Sequence, residues 1–350
     1  MVVQYKCPNC GADMAFDSAS GMLHCDSCSY NEPIDVMAQQ FDTQSSTTHH
    51  TDNDLDDHQL TQYQCKNCGA VLLTDRDTVA TTCSFCGAGV VLSDRLSGGQ
   101  GPTKVIPFSL GKQQAQEAFE VWCKKGRLTP KKFSSSNRIK SLTGIYVPFW
   151  LYDLNGLGDA LAECTKVRFY SDSDYRYTET KYFHVHRQVD LNYSQIPVDA
   201  SEKMDDQLME KLEPYDYQNL KQFKIPYLTG FLAEKYNYDY QQLFQRVQSR
   251  AEDYVTNYIN STIFGYDSVT FLSKRIDIKN NNAEYALLPV WMFRCDYNRK
   301  EYSFAMNGQT GKIAGKLPLS RSKIAAWFFG ISAAVFALLN VIAAFMGGSL

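Results

Sequence analysis

The stretch CPNCGADMAFDSASGMLHCDSCS at 7–29 decides how the chain begins, and CKNCGAVLLTDRDTVATTCSFCG at 65–87 repeats its frame. Each holds two C-x-x-C pairs: Cys7/Cys10 with Cys25/Cys28, and Cys65/Cys68 with Cys83/Cys86. The stretches between pairs, 11–24 and 69–82, are equal in length and long enough for a hairpin to return the chain. Two knuckles of two sulfurs each suit one tetrahedral ion. A module of about 30 residues buries too little apolar surface to hold itself together, so a metal is expected. We expect two structural Zn2+ ions on these eight cysteines, with rubredoxin-like iron and redox dithiols as alternatives. Four sulfurs fill the coordination sphere and leave no open position for catalysis. Gly11, Gly69 and Gly87 follow their knuckles, where a turn calls for positive φ; Ser29 stands at the fourth such place.

With 350 residues, 44% of them hydrophobic, and a net charge of −3, the chain can form several folding units and is too apolar for wholesale disorder. It opens MVVQYKCPNC, with no apolar run before the first pair, so a secreted disulfide framework is not expected. Cys123, Cys164 and Cys295 lie among apolar residues and read as buried thiols. Residues 1–30 set Lys6 against Asp13, Asp17 and Asp26, and 61–93 set Lys66 and Arg76 against Asp75 and Asp77. Thiolates add further negative charge. Phosphate binding needs Lys and Arg, so the modules read as protein-contacting or structural units rather than nucleic-acid readers.

At the other end, IAAWFFGISAAVFALLNVIAAFM at 324–346 carries no charge. As a helix it would extend roughly 34 Å, enough for a hydrocarbon core of about 30 Å. Lys312, Lys316, Arg321 and Lys323 precede it, and no acid follows Glu301. The positive-inside bias then predicts a single-pass, tail-anchored protein of the cell membrane with its N-terminal domains in the cytoplasm. Ala326, Gly330, Ala333, Ala337, Asn340 and Ala344 step along one small face, which predicts a transmembrane partner or a homo-oligomer.

Between these ends the sequence divides further. Residues 31–60 carry acids without Lys or Arg and read as a disordered linker, with His49, His50 and His58 solvated in it. A Gly-rich linker follows at 94–103. The fold class of 104–320 is α+β, a mixed antiparallel-sheet-plus-helix domain. Helices are expected at 110–125, 201–212 and 239–263. Strands are expected at 145–153, 159–170, 175–191, 267–278, 284–296, 300–306 and 311–314, with turns at 171–174, 280–282, 297–299 and 307–310. Pro148-Phe-Trp-Leu-Tyr and Pro289-Val-Trp-Met-Phe read as an internal duplication, with Trp150 and Trp291 as core anchors.

Lys124, Lys125, Arg127, Lys131, Lys132, Arg138 and Lys140 form a basic run without acids. It reads as a solvated face, a contact for anionic lipid, or a contact for nucleic acid or an acidic partner. No P-loop, H-E-x-x-H or G-x-S-x-G is present, so no enzyme is expected. His184 and His186 share a strand face without further ligands beside them.

CPNCGA, CKNCGA, IYVPFWLYD at 145–153, LLPVWMF at 287–293, FAMNGQTGKIAG at 304–315 and the terminal apolar helix together resemble bacterial TFIIB-type zinc ribbon-containing membrane proteins. Some relatives carry primosomal or replication labels. The resemblance implies a membrane component of a phage-shock-like envelope-stress system, with flotillin-like (SPFH) or phage-shock-protein-A-like partners. The expected role is a non-enzymatic adaptor holding two zinc ribbons, 1–30 and 61–93, on a flexible arm. The alternative is a membrane-tethered nucleic-acid-binding protein.

Overall fold

The computed structural model describes residues 2–42, 61–96, 101–130, 133 and 139–346. The first cysteine module comprises β1 (Val2–Val3), β2 (Ala15–Asp17), β3 (Met22–His24) and β4 (Asn31–Glu32), followed by α1 (Ile34–Asp42). The second comprises β5 (Thr61–Gln64), β6 (Val71–Thr74), β7 (Thr78–Thr82) and β8 (Gly89–Leu92). Then come β9 (Lys104–Val105), α2 (Lys112–Lys125), β10 (Ile139–Ser171), β11 (Arg176–Asp199), α3 (Asp206–Glu210), β12 (Lys221–Gln222) and β13 (Leu232–Glu234). The chain closes with α4 (Tyr240–Thr262), β14 (Ser268–Tyr297), β15 (Lys300–Asn307), β16 (Ile313–Gly315) and α5 (Arg321–Met346). Among the described residues one eleven-stranded sheet runs β1-β8-β7-β13-β10-β14-β15-β16, with β11 beside β10 and β9 linking β12 to β14. The fold is α+β.

The middle of this sheet is symmetric. β10 and β14 pair antiparallel about Val147↔Leu288, flanked by Tyr146↔Pro289 and Pro148↔Leu287. A short strand runs parallel to each: β13 pairs Leu232↔Ile145, and β9 pairs Lys104↔Ala286. Each short strand leads to a capped helix, α4 behind Asp239 and α2 behind Gly111. The indole Nε1 of Trp150 donates to the carbonyl of Tyr238, just before the α4 cap, at 2.9 Å. Trp291 donates to the carbonyl of Leu110, just before the α2 cap, also at 2.9 Å. Each half thus clasps the helix start of the other. Both indoles are buried, so these bonds satisfy N–H groups that burial would otherwise strand.

Two long strands replace the expected pairs of short ones. β10 has 33 residues and β14 has 30, and the predicted turn at 280–282 lies inside β14. There the register passes from Asp153↔Asn282 to Leu154↔Asn280, so Asn281 is the extra residue of a β-bulge. On its other edge β10 shifts register between Tyr152 and Leu154, with Gln195 of β11 at φ 58° donating its N–H to Asp153 Oδ1 at 3.0 Å. Beyond the bulges β11, β10 and β14 continue as a three-stranded extension as far as Thr165↔Ser268, and β10 and β11 alone run on to the 171–176 turn. At about 3.3 Å per residue β10 traces roughly 100 Å. α4 lies on this extension through Leu243, Val247, Ala251, Val255 and Ile259, all buried. Gly158 lets it approach, since a Cβ there would meet Val255 at 3.2 Å. At the opposite end, Ile139 pairs with Cys295, and Phe133 packs edge-on against Tyr297 and Tyr302.

The cysteine modules do not hang on a flexible arm. β1 of the first pairs with β8 of the second, Val2↔Leu92 and Val3↔Val91. β7 pairs with β13 at Ala80↔Ala233, and β13 pairs with β10, so both modules are strand-joined to the large sheet. The first is also pinned by the Phe16 N–H to the Thr229 carbonyl at 3.0 Å and by the Phe16 ring on Tyr227 at 5.4 Å. Lys203 ties down the second, reaching Asp75 at 2.6 Å, Glu234 at 3.4 Å and Asp77 at 3.8 Å. The linker expected at 31–60 is corrected over its first part: 31–42 form β4 and α1, because Ile34 and Met37 bury against the core and Asp35 pairs with Lys224. Residues 43–60, with His49, His50 and His58, lie outside the described residues.

α5 is long and apolar enough to cross a membrane over Arg321–Ile342, and none of that span is buried in the protein. Exposed apolar surface on this scale marks a contact with a membrane or another protein.

Candidate metal centres

Each cysteine cluster is assembled from two copies of one local device. The N–H of Cys7 donates to the Ala12 carbonyl at 2.8 Å, and the N–H of Gly11 returns to the Cys7 carbonyl at 2.8 Å. The same pair of bonds recurs at Cys25 with Ser29 and Tyr30, at Cys65 with Gly69 and Ala70, and at Cys83 with Gly87 and Ala88. Each turn closes only if the residue after the second cysteine takes positive φ. Gly11, Gly69 and Gly87 do so at 73°, 73° and 75°, and Ser29 does so at 60°.

The first cysteine of every knuckle is buried, while Cys10, Cys68 and Cys86 are exposed and Cys28 half-buried. Within each group of four the Sγ atoms all lie within 4.8 Å of one another. Across knuckles Cys7–Cys28 and Cys10–Cys25 are 3.5 Å apart, Cys65–Cys86 3.8 Å and Cys68–Cys83 3.7 Å. A disulfide needs about 2.05 Å. Sulfurs bound at about 2.3 Å on a tetrahedral ion are roughly 3.8 Å apart. The donor set and its spacing therefore fit one metal ion in each cluster.

The thiols within each cluster are not equivalent. The Tyr30 N–H aimed at its sulfur brings Cys28 down to about 6, and the Ala88 N–H does the same for Cys86, also to about 6. In each cluster another thiol moves the opposite way. Despite the N–H of Ala12, Cys10 is pushed up to about 12 by sulfurs of its neighbours, beginning with Cys28. A bound dication would favour the ionised form of all four sulfurs in each cluster.

Ser29 occupies the left-handed region that the other three knuckles give to glycine. That conformation costs an L-residue roughly 1–2 kcal/mol, offset in part by the greater freedom of an unfolded glycine. Ser29→Gly should therefore stabilise the first module by roughly 0.5–1 kcal/mol. Slower loss of metal from that site to a chelator, with the second site unchanged, is the measurement.

Among the described residues these two clusters are the groupings of three or more His, Cys, Asp or Glu that could hold a metal. His184 and His186 do not join one: they face Glu163 at 3.8 Å and Asp159 at 2.9 Å as separate cross-strand pairs. Cys123, Cys164 and Cys295 are buried. Lys124, Lys125 and Arg127 are exposed, and Lys140 sits 3.6 Å from Asp296, while Lys131, Lys132 and Arg138 lie outside the described residues. Of the small face on α5, Asn340 donates Nδ2 to its own helix at the Phe336 carbonyl, 2.7 Å away, and the Ala344 side chain lies outside the description. Sequence reading missed Gln4, whose Nε2 lies 3.6 Å from Cys65 Sγ, and Lys6, whose Nζ donates to Asn67 at 2.7 Å. Both join the first module to the metal knuckle of the second, and only the pairing of β1 with β8 brings them there.

The chain is 51% identical over 348 residues to uncharacterized protein YdjG of Bacillus subtilis (strain 168), covering 99% of each. It belongs to that protein's family. The aligned span takes in both cysteine modules, the large sheet and the terminal helix. No family model and no solved structure matches the chain.

Proposed function

We propose that this protein is a non-enzymatic adaptor of the cell membrane. In this reading α5 crosses the bilayer once and the N-terminal domains face the cytoplasm. Two zinc ribbons, each holding one Zn2+ through Cys7, Cys10, Cys25 and Cys28 or Cys65, Cys68, Cys83 and Cys86, present a protein-binding surface. All-thiolate tetrahedra suit zinc in a structural role, with no position left for substrate. The observation that carries the reading is the continuous strand pairing from β1 through β8, β7 and β13 to β10. It holds the ribbons in one fixed arrangement while their knuckle tips stay outside. At one tip Phe85 is 75% exposed between the exposed Ser84 and Cys86, an apolar ring with no structural use there. The resemblance to envelope-stress components suggests flotillin-like or phage-shock-protein-A-like partners.

The test is crosslinked purification from membranes, comparing the native protein with Phe85→Ser and Lys66→Glu. Both positions are exposed, so the metal sites should survive. Deleting 1–93 would be a poorer test, because it removes β1, β7 and β8 and uncovers Ala233 on β13. We expect specific partners to fall away in both variants with metal content unchanged. An identical partner set in both would sink the adaptor reading.

A further inference from the structure

The start of α5 is docked on the loop after α2. The Ser320 N–H donates to the Leu128 carbonyl at 2.8 Å, and Lys323 Nζ donates to the Thr129 carbonyl at 2.7 Å and the Arg127 carbonyl at 3.4 Å. Leu317 lies against the backbone of Gly126, where an added Cβ would meet it at 2.9 Å. These contacts bring two basic segments together at the root of the apolar helix. Lys124, Lys125 and Arg127 come from one; Lys316, Arg321 and Lys323 come from the other. Neither 121–130 nor 315–323 contains an acid. All but Lys323 are exposed, and among the described residues no carboxylate forms an ion pair with any of the six. Two large apolar side chains on the same segments, Val121 and Leu319, are 55% and 64% exposed.

Lys124 and Lys125 end α2, where cations suit the helix dipole, but that effect accounts for neither Arg127 nor the 316–323 cations. Nor does the dipole explain the exposed apolar side chains of Val121 and Leu319 beside the charges. A plane at the water end of a spanning helix accounts for both. Cations there meet headgroup phosphates within a Debye length, while short apolar side chains reach the acyl boundary.

We propose that Lys124, Lys125, Arg127, Lys316 and Arg321, drawn together by the Lys323 contacts at the root of α5, form a collar that binds the anionic phospholipid headgroups around that helix. The proposal rests on the reading of α5 as a membrane span. The collar sits on the folded domain rather than on a loose juxtamembrane tail. Lipid charge therefore fixes the orientation of the whole sheet over the bilayer, not only the position of the anchor.

The test reconstitutes the full-length protein in nanodiscs of phosphatidylcholine alone or of phosphatidylcholine mixed with phosphatidylglycerol, and maps lysine acetylation by mass spectrometry. Labelling of Lys124, Lys125 and Lys316 should fall several-fold in the anionic discs and recover in high salt, with Lys181 on the distant β11 unchanged. In the variant Lys124→Gln/Lys125→Gln/Arg127→Gln, Lys316 should lose most of its protection. Equal labelling in the two lipids would overturn the collar. So would protection by added duplex DNA in neutral discs without protection by phosphatidylglycerol, which would make this a nucleic-acid face. Alkaline carbonate extraction of native membranes separates the two readings. Protein stripped by carbonate would refute the span, whereas lipid-independent labelling of protein that resists carbonate refutes the collar alone.

Discussion

Cys83→Ser should reduce bound metal from two ions per chain to one and loosen more than its own module. Replacing one of four thiolates leaves three sulfurs that no longer close the sphere, and apparent zinc-site energies in small modules are on the order of 10 kcal/mol. Cys83 directly follows β7, which pairs with β13 on one side and β8 on the other, and β8 carries β1. Loss of this site therefore frees both ends of the join between the modules and the sheet. Cys10→Ser should disturb this strand join less, because loss of its site leaves β7, β8 and β13 paired. Metal analysis of the detergent-purified protein, with hydrogen exchange at Val90, Val91 and Ala233, measures the difference. Equal exchange in the two variants would show that the second site does not brace the sheet.

Trp150→Ala and Trp291→Ala should each destabilise the domain by about 3–5 kcal/mol, the usual range for emptying a large core site. The symmetric clasp predicts similar losses. Each substitution removes a buried indole and leaves one helix-entry carbonyl, of Tyr238 or Leu110, without its donor. Aromatic neighbours are also similar: Tyr236 lies 5.2 Å from Trp150, and Phe108 lies 5.1 Å from Trp291. Because each indole acts on the other half's helix, the effects should be visible across the sheet, with Trp150→Ala fraying α4 and Trp291→Ala fraying α2. Urea titration in detergent with exchange at the two helix starts provides the measurement. Fraying of the helix in the same half instead would contradict the crossed arrangement.

The local rules were readable in the sequence. The four knuckles, the apolar stripe that became α4, the helix ended at Gly126 and the turns at 171–174 and 297–299 all depend on near neighbours in sequence. What could not be read depends on partners far along the chain. Asn280, Asn281 and Asn282 look like a turn because asparagine suits turns, yet opposite Asp153 and Leu154 they form a bulge. Residues 31–42 look soluble, yet Ile34 and Met37 find a core surface built by distant segments. The repeated P-x-W hinted at equivalent halves, but only the register about Val147↔Leu288 reveals that they interlock. The eight cysteines could be grouped from spacing alone. Their attachment to the sheet could not, because β1, β8 and β13 are short strands with ordinary composition.

The length of β10 turns the domain into a lever. Its root pairs with Cys295 beside Phe133, and its far end carries Phe169 and Tyr170, with Tyr175 in the turn beyond, each at least half exposed. Hydrogen-bonded strands flank β10 on both sides between Phe149 and Thr165. In the proposed membrane-anchored arrangement, a small rocking of the root against the bilayer would be magnified into a broad sweep at the aromatic end. A partner gripping that end would, in the same arrangement, apply torque rather than simple pull to α5.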